Sequence, residues 1–145
     1  MSGQGERLVP ALAVPRMTAM RVGVDIQPVA DVLRSLARFG DRYRLKLFTE
    51  REVQDSGGWG AETTTAAASL AARFAAKEAT FKALRVSDRV PRWTDVELVR
   101  EAGGWPTLRL HALAAELAAE AGLHEFQVSI SHTEDTAVAV VVAIP

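Results

Sequence analysis

The chain has 145 residues, with 17 lysines and arginines against 18 aspartates and glutamates, three histidines and no cysteine. That length suits one domain able to bury most of its apolar surface. A net charge of -1 gives no global attraction to nucleic acid or an anionic membrane, so any ionic partner must be recognised locally. The absence of cysteine excludes disulfides, thiolate metal sites and a Cys nucleophile, and fits a reducing cytoplasm. No apolar run approaches the roughly 20 residues of a membrane helix.

Residues 1–19 read as an extension to a domain over 20–145. MSGQGERLVPALAVPRM is broken by Pro10 and Pro15 and has no basic segment before its apolar patch, so no signal peptide is expected; Met17 or Met20 could each be a natural start. In MRVGVDI, Met20, Val22, Val24 and Ile26 alternate with Arg21, Gly23 and Asp25, the period of a half-buried strand with Asp25 on its other face. Pro28 suits a first helical turn, and the helix it opens carries Val29, Val32, Leu33, Leu36 and Phe39 before Gly40. Thr49 and Glu52 form a capping box for a short helix. DSGGWGAE is a loop, and from about Thr65 the chain becomes a long helix, AAASLAARFAAKEATFKAL. WTDVELV, the turn AGGWP and TLRL read as a hairpin. HALAAELAAEA is a helix closed by Gly122, and EFQVSIS and TAVAVVVAI are two final strands around HTED. The expected fold is a single α+β domain, an antiparallel sheet packed on the long helix and shorter helices.

The long helix sets lysine and glutamate side by side among apolar residues. At about 100° per residue, Leu84, Leu70, Phe81 and Phe74 define a stripe from about 20° to 100° relative to Arg73. Lys77 falls inside it at about 40°, Glu78 at its edge near 140° and Lys82 near 180°. One reading has Lys77 reaching past its neighbours to solvent and Glu78 pairing with Lys82 as an ordinary i,i+4 ion pair. The other has Lys77 and Lys82 binding a polyanion while Glu78 holds a divalent cation. Asp25 is a second isolated carboxylate, either a helix cap or a second metal ligand. Two carboxylates plus ligand phosphates are how Mg²⁺ is usually held. His132 ends VSISH, as a turn histidine, a phosphate donor or a proton acceptor.

VGVDI, SLAARFAAKEATFKAL, WTDVEL, GGWPTLRL and VSISH occur in the order seen in holo-acyl-carrier-protein synthases, the short class of 4'-phosphopantetheinyl transferases, and the resemblance covers about residues 20 to 144. It implies a trimeric α+β fold with coenzyme A bound between neighbouring subunits. It also implies a Mg²⁺-dependent reaction that moves the phosphopantetheine arm to a serine of an apo acyl carrier protein and releases 3',5'-ADP. On that resemblance Asp25 and Glu78 are the metal ligands and Lys82 neutralises charge on the transferring phosphoryl group. Arg73, Lys77, Ser131 and His132 join Lys82 in holding the coenzyme.

Acyl carrier proteins are acidic helical domains, so a local basic surface is required. Arg34, Arg38, Arg42, Arg44 and Lys46 lie between Leu33 and Thr49 against a single Asp41, and Arg34 and Arg38 share a helix face. The chain departs from the family pattern at Asp31, where many relatives carry a docking arginine, and at Arg85, where a glycine is common. These departures point to a specialised carrier of secondary metabolism, such as polyketide biosynthesis, rather than the carrier of fatty acid biosynthesis. The competing readings are a transfer-inactive coenzyme A-binding docking domain and an unrelated Mg²⁺-dependent nucleotide enzyme, the latter disfavoured by the lack of a phosphate-binding glycine motif.

Overall fold

The computed structural model describes residues 19–145, so the expected extension over 1–19 lies outside the described residues except for Ala19. In chain order the elements are β1 (Arg21–Pro28), α1 (Val29–Phe39), α2 (Asp41–Leu47), α3 (Glu50–Asp55), α4 (Thr64–Leu84), β2 (Val96–Arg100), β3 (Pro106–Leu110), α5 (Ala112–Glu120), β4 (Glu125–His132) and β5 (Thr136–Ile144). All pairings are antiparallel, with β5 central in a β1-β5-β4 sheet and β2 and β3 forming a separate hairpin. This is the α+β arrangement expected. Helix α2 was not: it leaves Gly40 at φ 55° with no side-chain cap, and buries Arg44 and Leu47, so tertiary contacts rather than local signals hold it.

Helix α4 is the core element. Thr63 caps it by accepting a hydrogen bond from the Ala66 amide. The apolar stripe drawn from its large residues is too narrow, because Ala67, Ala71, Ala75, Ala76, Ala79 and Ala83 are also fully buried. The helix is enclosed by the sheet's inner face, with Ala139 and Val141 on one side, and by Val29, Val32 and Leu36 of α1 on another. Phe74 and Phe81 pack against Trp93, the Phe81 ring stacked on it at 4.8 Å between centroids.

Strand β1 has the expected period, but its apolar residues are not the buried set. Val22, Val24 and Ile26 are 61%, 50% and 62% exposed, while Gly23, Asp25 and Gln27 point toward α4. Small and polar residues face the helix because β1 comes too near it for anything larger. A Cβ on Gly23 would lie 1.8 Å from the Ala79 carbonyl oxygen.

Lys77 departs from the phosphate-binding role expected of it. It is fully buried, and its ammonium donates to Glu52 Oε2 at 2.8 Å, to the Trp93 carbonyl at 3.1 Å and to the Val96 carbonyl. Glu52, also fully buried, closes the expected capping box with Thr49 and accepts the Leu98 amide at 2.9 Å. Burial pulls the Lys77 ammonium below the usual lysine range, and the Glu52 carboxylate opposes that pull. With all of its donors turned inward, Lys77 joins α4 to α3 and β2 and has no path to a ligand. Removing one partner leaves the other charge buried alone. Lys77→Ala should therefore cost about 3–5 kcal/mol of stability in chemical denaturation, with part of the loss recovered in the Lys77→Met, Glu52→Gln double variant. A loss below about 1 kcal/mol for Lys77→Ala would contradict the buried pair.

Candidate active site

The close approach of β1 to α4 sets the geometry of the first cluster. Asp25 and Gln27 project from the face of β1 that carries Gly23, and Glu78 and Lys82, one helical turn apart, project from α4 to meet them. The Gln27 amide donates to Asp25 Oδ2 at 2.8 Å and to Glu78 Oε2 at 3.1 Å, holding the two carboxylates together. Lys82 donates to Asp25 Oδ1 at 3.1 Å and to the Val24 carbonyl at 2.9 Å. It thus ties helix to strand instead of forming the i,i+4 pair with Glu78. Burial, and then the adjacent Asp25 carboxylate, raise the Glu78 carboxyl above the usual range, against the opposing charge of Lys82.

Two carboxylates from separate elements, pressed together against their mutual repulsion, fit a divalent cation. Among the described residues, no group of three or more His, Cys, Asp or Glu side chains gathers as a metal cluster. The protein would therefore supply two ligands, leaving the remaining positions to water and ligand phosphate, the pattern suited to Mg²⁺.

The second cluster lines a cleft of about 800 Å³ between the first half of α4, the β2–β3 hairpin and the end of β4. Arg73 is the key residue. It is 7% exposed, donates to Ser69 Oγ at 2.6 Å and lies 4.0 Å from Asp55 Oδ2, yet its Nε has no hydrogen-bond partner. Burial lowers the affinity of Arg73 for its proton and the nearby Arg100 charge adds to that, while Glu52 and Asp55 oppose it. A guanidinium nitrogen without a partner, and two arginines, Arg73 and Arg100, against the single lining carboxylate of Asp55, suit this wall to an anion. His132 reaches the same cleft because it follows Phe126, Val128 and Ile130 on the inner face of β4. Ser131, expected to bind the coenzyme, alternates to the outer face opposite Val138 and does not line the cleft.

The expected single site is thus two clusters, since Asp25, Glu78 and Lys82 are absent from the cleft lining. Asp55, Ser69, Arg100 and Trp105 were not anticipated there. Ser69 was open to discovery, lying one turn before Arg73; Arg100 and Trp105 are brought in only by the docking of the hairpin. Arg34 and Arg38 are exposed beside a shallow groove on α1, Arg34 paired with Asp31 and Arg38 5.1 Å from the Phe39 ring centroid. Arg44, from the same basic run, is buried and bound to Asp41 and the Ala61 carbonyl. Arg85 caps α4 in the left-handed conformation at φ 56°, which explains why glycine is the easier residue there.

The chain is similar to known proteins over nearly all of this structure. It is 40% identical over 121 residues to a holo-[acyl-carrier-protein] synthase of Koribacter versatilis, covering 83% of this chain and 94% of that protein. The holo-[acyl-carrier-protein] synthase structure from Neisseria meningitidis superposes with a TM-score of 0.72 at 26% identity, covering 86% of this chain and 98% of that one. The Bacillus anthracis holo-(acyl-carrier-protein) synthase, solved in complex with CoA (3',5'-ADP), gives a TM-score of 0.67 at 29% identity over 86% and 97% of the two chains. The 4'-phosphopantetheinyl transferase superfamily model matches residues 21–141. The chain belongs to that superfamily, in the branch of its holo-[acyl-carrier-protein] synthase relatives.

Proposed function

We propose that this transferase moves the 4'-phosphopantetheine arm of coenzyme A to a serine of an apo acyl carrier protein, with Mg²⁺, releasing 3',5'-ADP. The observation that carries the reading is the convergence of Asp25 and Glu78, bridged by Gln27 and flanked by Lys82. Asp25 and Glu78 would hold the Mg²⁺ ion, which when bound supplies positive charge to the pyrophosphate. The serine oxygen forms a bond to the phosphorus carrying pantetheine, and the phosphorus–oxygen bond to 3',5'-ADP breaks. Lys82, with a side chain 57% exposed, is placed to turn its ammonium onto the phosphoryl oxygens as their charge shifts. A water held beside Asp25 and Glu78 would accept the serine proton. Arg73 and His132 suit the coenzyme's remaining phosphates.

A homotrimer accounts for two features. The outer face of the sheet exposes Val22, Val24, Ile26 and Val140, an apolar surface that a second copy would cover. The carboxylate cluster and the arginine cleft are separate on one chain, so one copy can hold the phosphopantetheine end of the coenzyme and its neighbour the nucleotide end. Exposed Arg34 and Arg38, with the groove beside Phe39, suit the acidic helical carrier. No described helix is long and apolar enough to cross a membrane. The cysteine-free composition suits a reducing cytoplasm.

Incubation with apo carrier proteins, coenzyme A and Mg²⁺ should add the mass of phosphopantetheine to a carrier, read by mass spectrometry. No gain on any carrier, including one encoded nearby, would sink the transferase reading. In that assay Asp25→Ala and Glu78→Ala should each lower the rate at least about a hundredfold with the fold intact; near-normal rates would overturn the metal assignment. The Arg34→Glu, Arg38→Glu double variant should raise KM for the carrier and leave KM for coenzyme A unchanged. An unaltered carrier KM would remove α1 as the docking face. The native protein should sediment as a trimer and Ile26→Glu as a smaller species, whereas a monomeric native protein would refute the assembly.

A further inference from the structure

Trp105 is 74% exposed, the most exposed of the large apolar side chains among the described residues. A lone exposed aromatic is ordinary, but its setting is not. The tip of the β2–β3 hairpin is fixed by the Glu101 amide donating to the Trp105 carbonyl at 2.9 Å and the Gly104 amide donating to the Glu101 carbonyl at 2.8 Å, with Gly104 at φ 86°. The indole folds over Gly103, where a Cβ would lie 3.0 Å from its Cδ1 and 3.1 Å from its Nε1. A residue without a side chain is what lets the ring lie there. The tight turn therefore presents a pre-set aromatic plane, at low entropic cost on binding.

That plane borders the cleft containing Arg73, Arg100 and His132. The orphaned, buried Arg73 Nε is an independent sign that the cleft receives an anion. Cationic side chains and a flat, half-apolar ring lining one cleft suit a ligand with a phosphate and an aromatic base. A second copy of the chain is the other occupant to weigh. The excess of Arg73 and Arg100 over Asp55 in the cleft lining argues against it, and the broad apolar surface for self-association lies on the outer sheet face instead.

Resting on the coenzyme reading above, we propose that Trp105 is a specificity-determining residue whose indole stacks on the adenine base of coenzyme A. The base contact adds affinity for the nucleotide without touching the transferring phosphoryl group, so it acts on KM and leaves kcat alone.

Titration calorimetry with two ligands, 3',5'-ADP and ribose 3,5-bisphosphate, separates base from phosphate. Trp105→Ala should weaken 3',5'-ADP binding about tenfold, change ribose 3,5-bisphosphate binding by less than about twofold, and raise KM for coenzyme A with kcat unchanged. Trp105→Phe, which keeps a ring, should restore most of the 3',5'-ADP affinity. An unchanged 3',5'-ADP affinity in Trp105→Ala, an equal loss for both ligands, or a changed number of subunits in the sedimenting assembly would each overturn the stacking role. If the native protein bound neither ligand, the coenzyme reading would fall with it; native binding and transfer with an unaffected Trp105→Ala would overturn this inference alone.

Discussion

The backbone of β1 crosses α4 so closely at Gly23 that a Cβ there would sit 1.8 Å from the Ala79 carbonyl oxygen. Such an approach needs glycine on the strand and alanine on the helix, and it has a direct chemical consequence. Two residues further along β1, on the same face, comes Asp25; on α4, Glu78 and Lys82 lie either side of the crossing. Side chains as short as aspartate can then meet across two elements, with Gln27 bridging the carboxylates. Lysine in place of glycine at residue 23, or leucine in place of Ala79, would move the elements apart and separate the two carboxylates. The same constraint turns Val22, Val24 and Ile26 outward, where they give the sheet a second apolar face.

The adjacent pair Lys77 and Glu78 shows how one helix serves packing and chemistry together. Consecutive helical residues point about 100° apart, so the two can face different neighbours. Lys77 turns to Glu52 and the carbonyls of Trp93 and Val96, joining α4 to α3 and the start of β2. Glu78 turns to β1. A buried ion pair contributes little net stability, but it requires one orientation, since any rotation of α4 would leave Lys77 or Glu52 unpaired. The register of the helix that carries the site is thereby fixed from its opposite side.

Much of this was legible in the sequence, for local reasons. The capping box at Thr49 and Glu52, the strand periods and the long helix follow from short-range patterns, and the family motifs named Asp25, Glu78, Lys82, Arg73 and His132. The helical wheel put Lys77 inside the apolar stripe, where it lies, but drew that stripe too narrow because it gave the alanines no packing role, when the alanines bury α4 on nearly every side. It also offered no partner for a buried lysine, because Glu52 is 25 residues away and meets it only through the tertiary fold. Helix α2 carries no capping signal, and Arg100 and Trp105 join Arg73 only when the hairpin docks. Each of these depends on long-range contacts that single-sequence patterns do not encode.

The central claim is that the β1–α4 contact creates a divalent-cation site from Asp25 and Glu78 alone, completed by ligand phosphate. The most direct measurement is anomalous scattering from crystals grown with Mn²⁺ and coenzyme A. The account predicts a peak between the Asp25 and Glu78 carboxylates and in contact with the coenzyme's pyrophosphate. A bound coenzyme with no peak there, or with its metal held by other side chains, would contradict it.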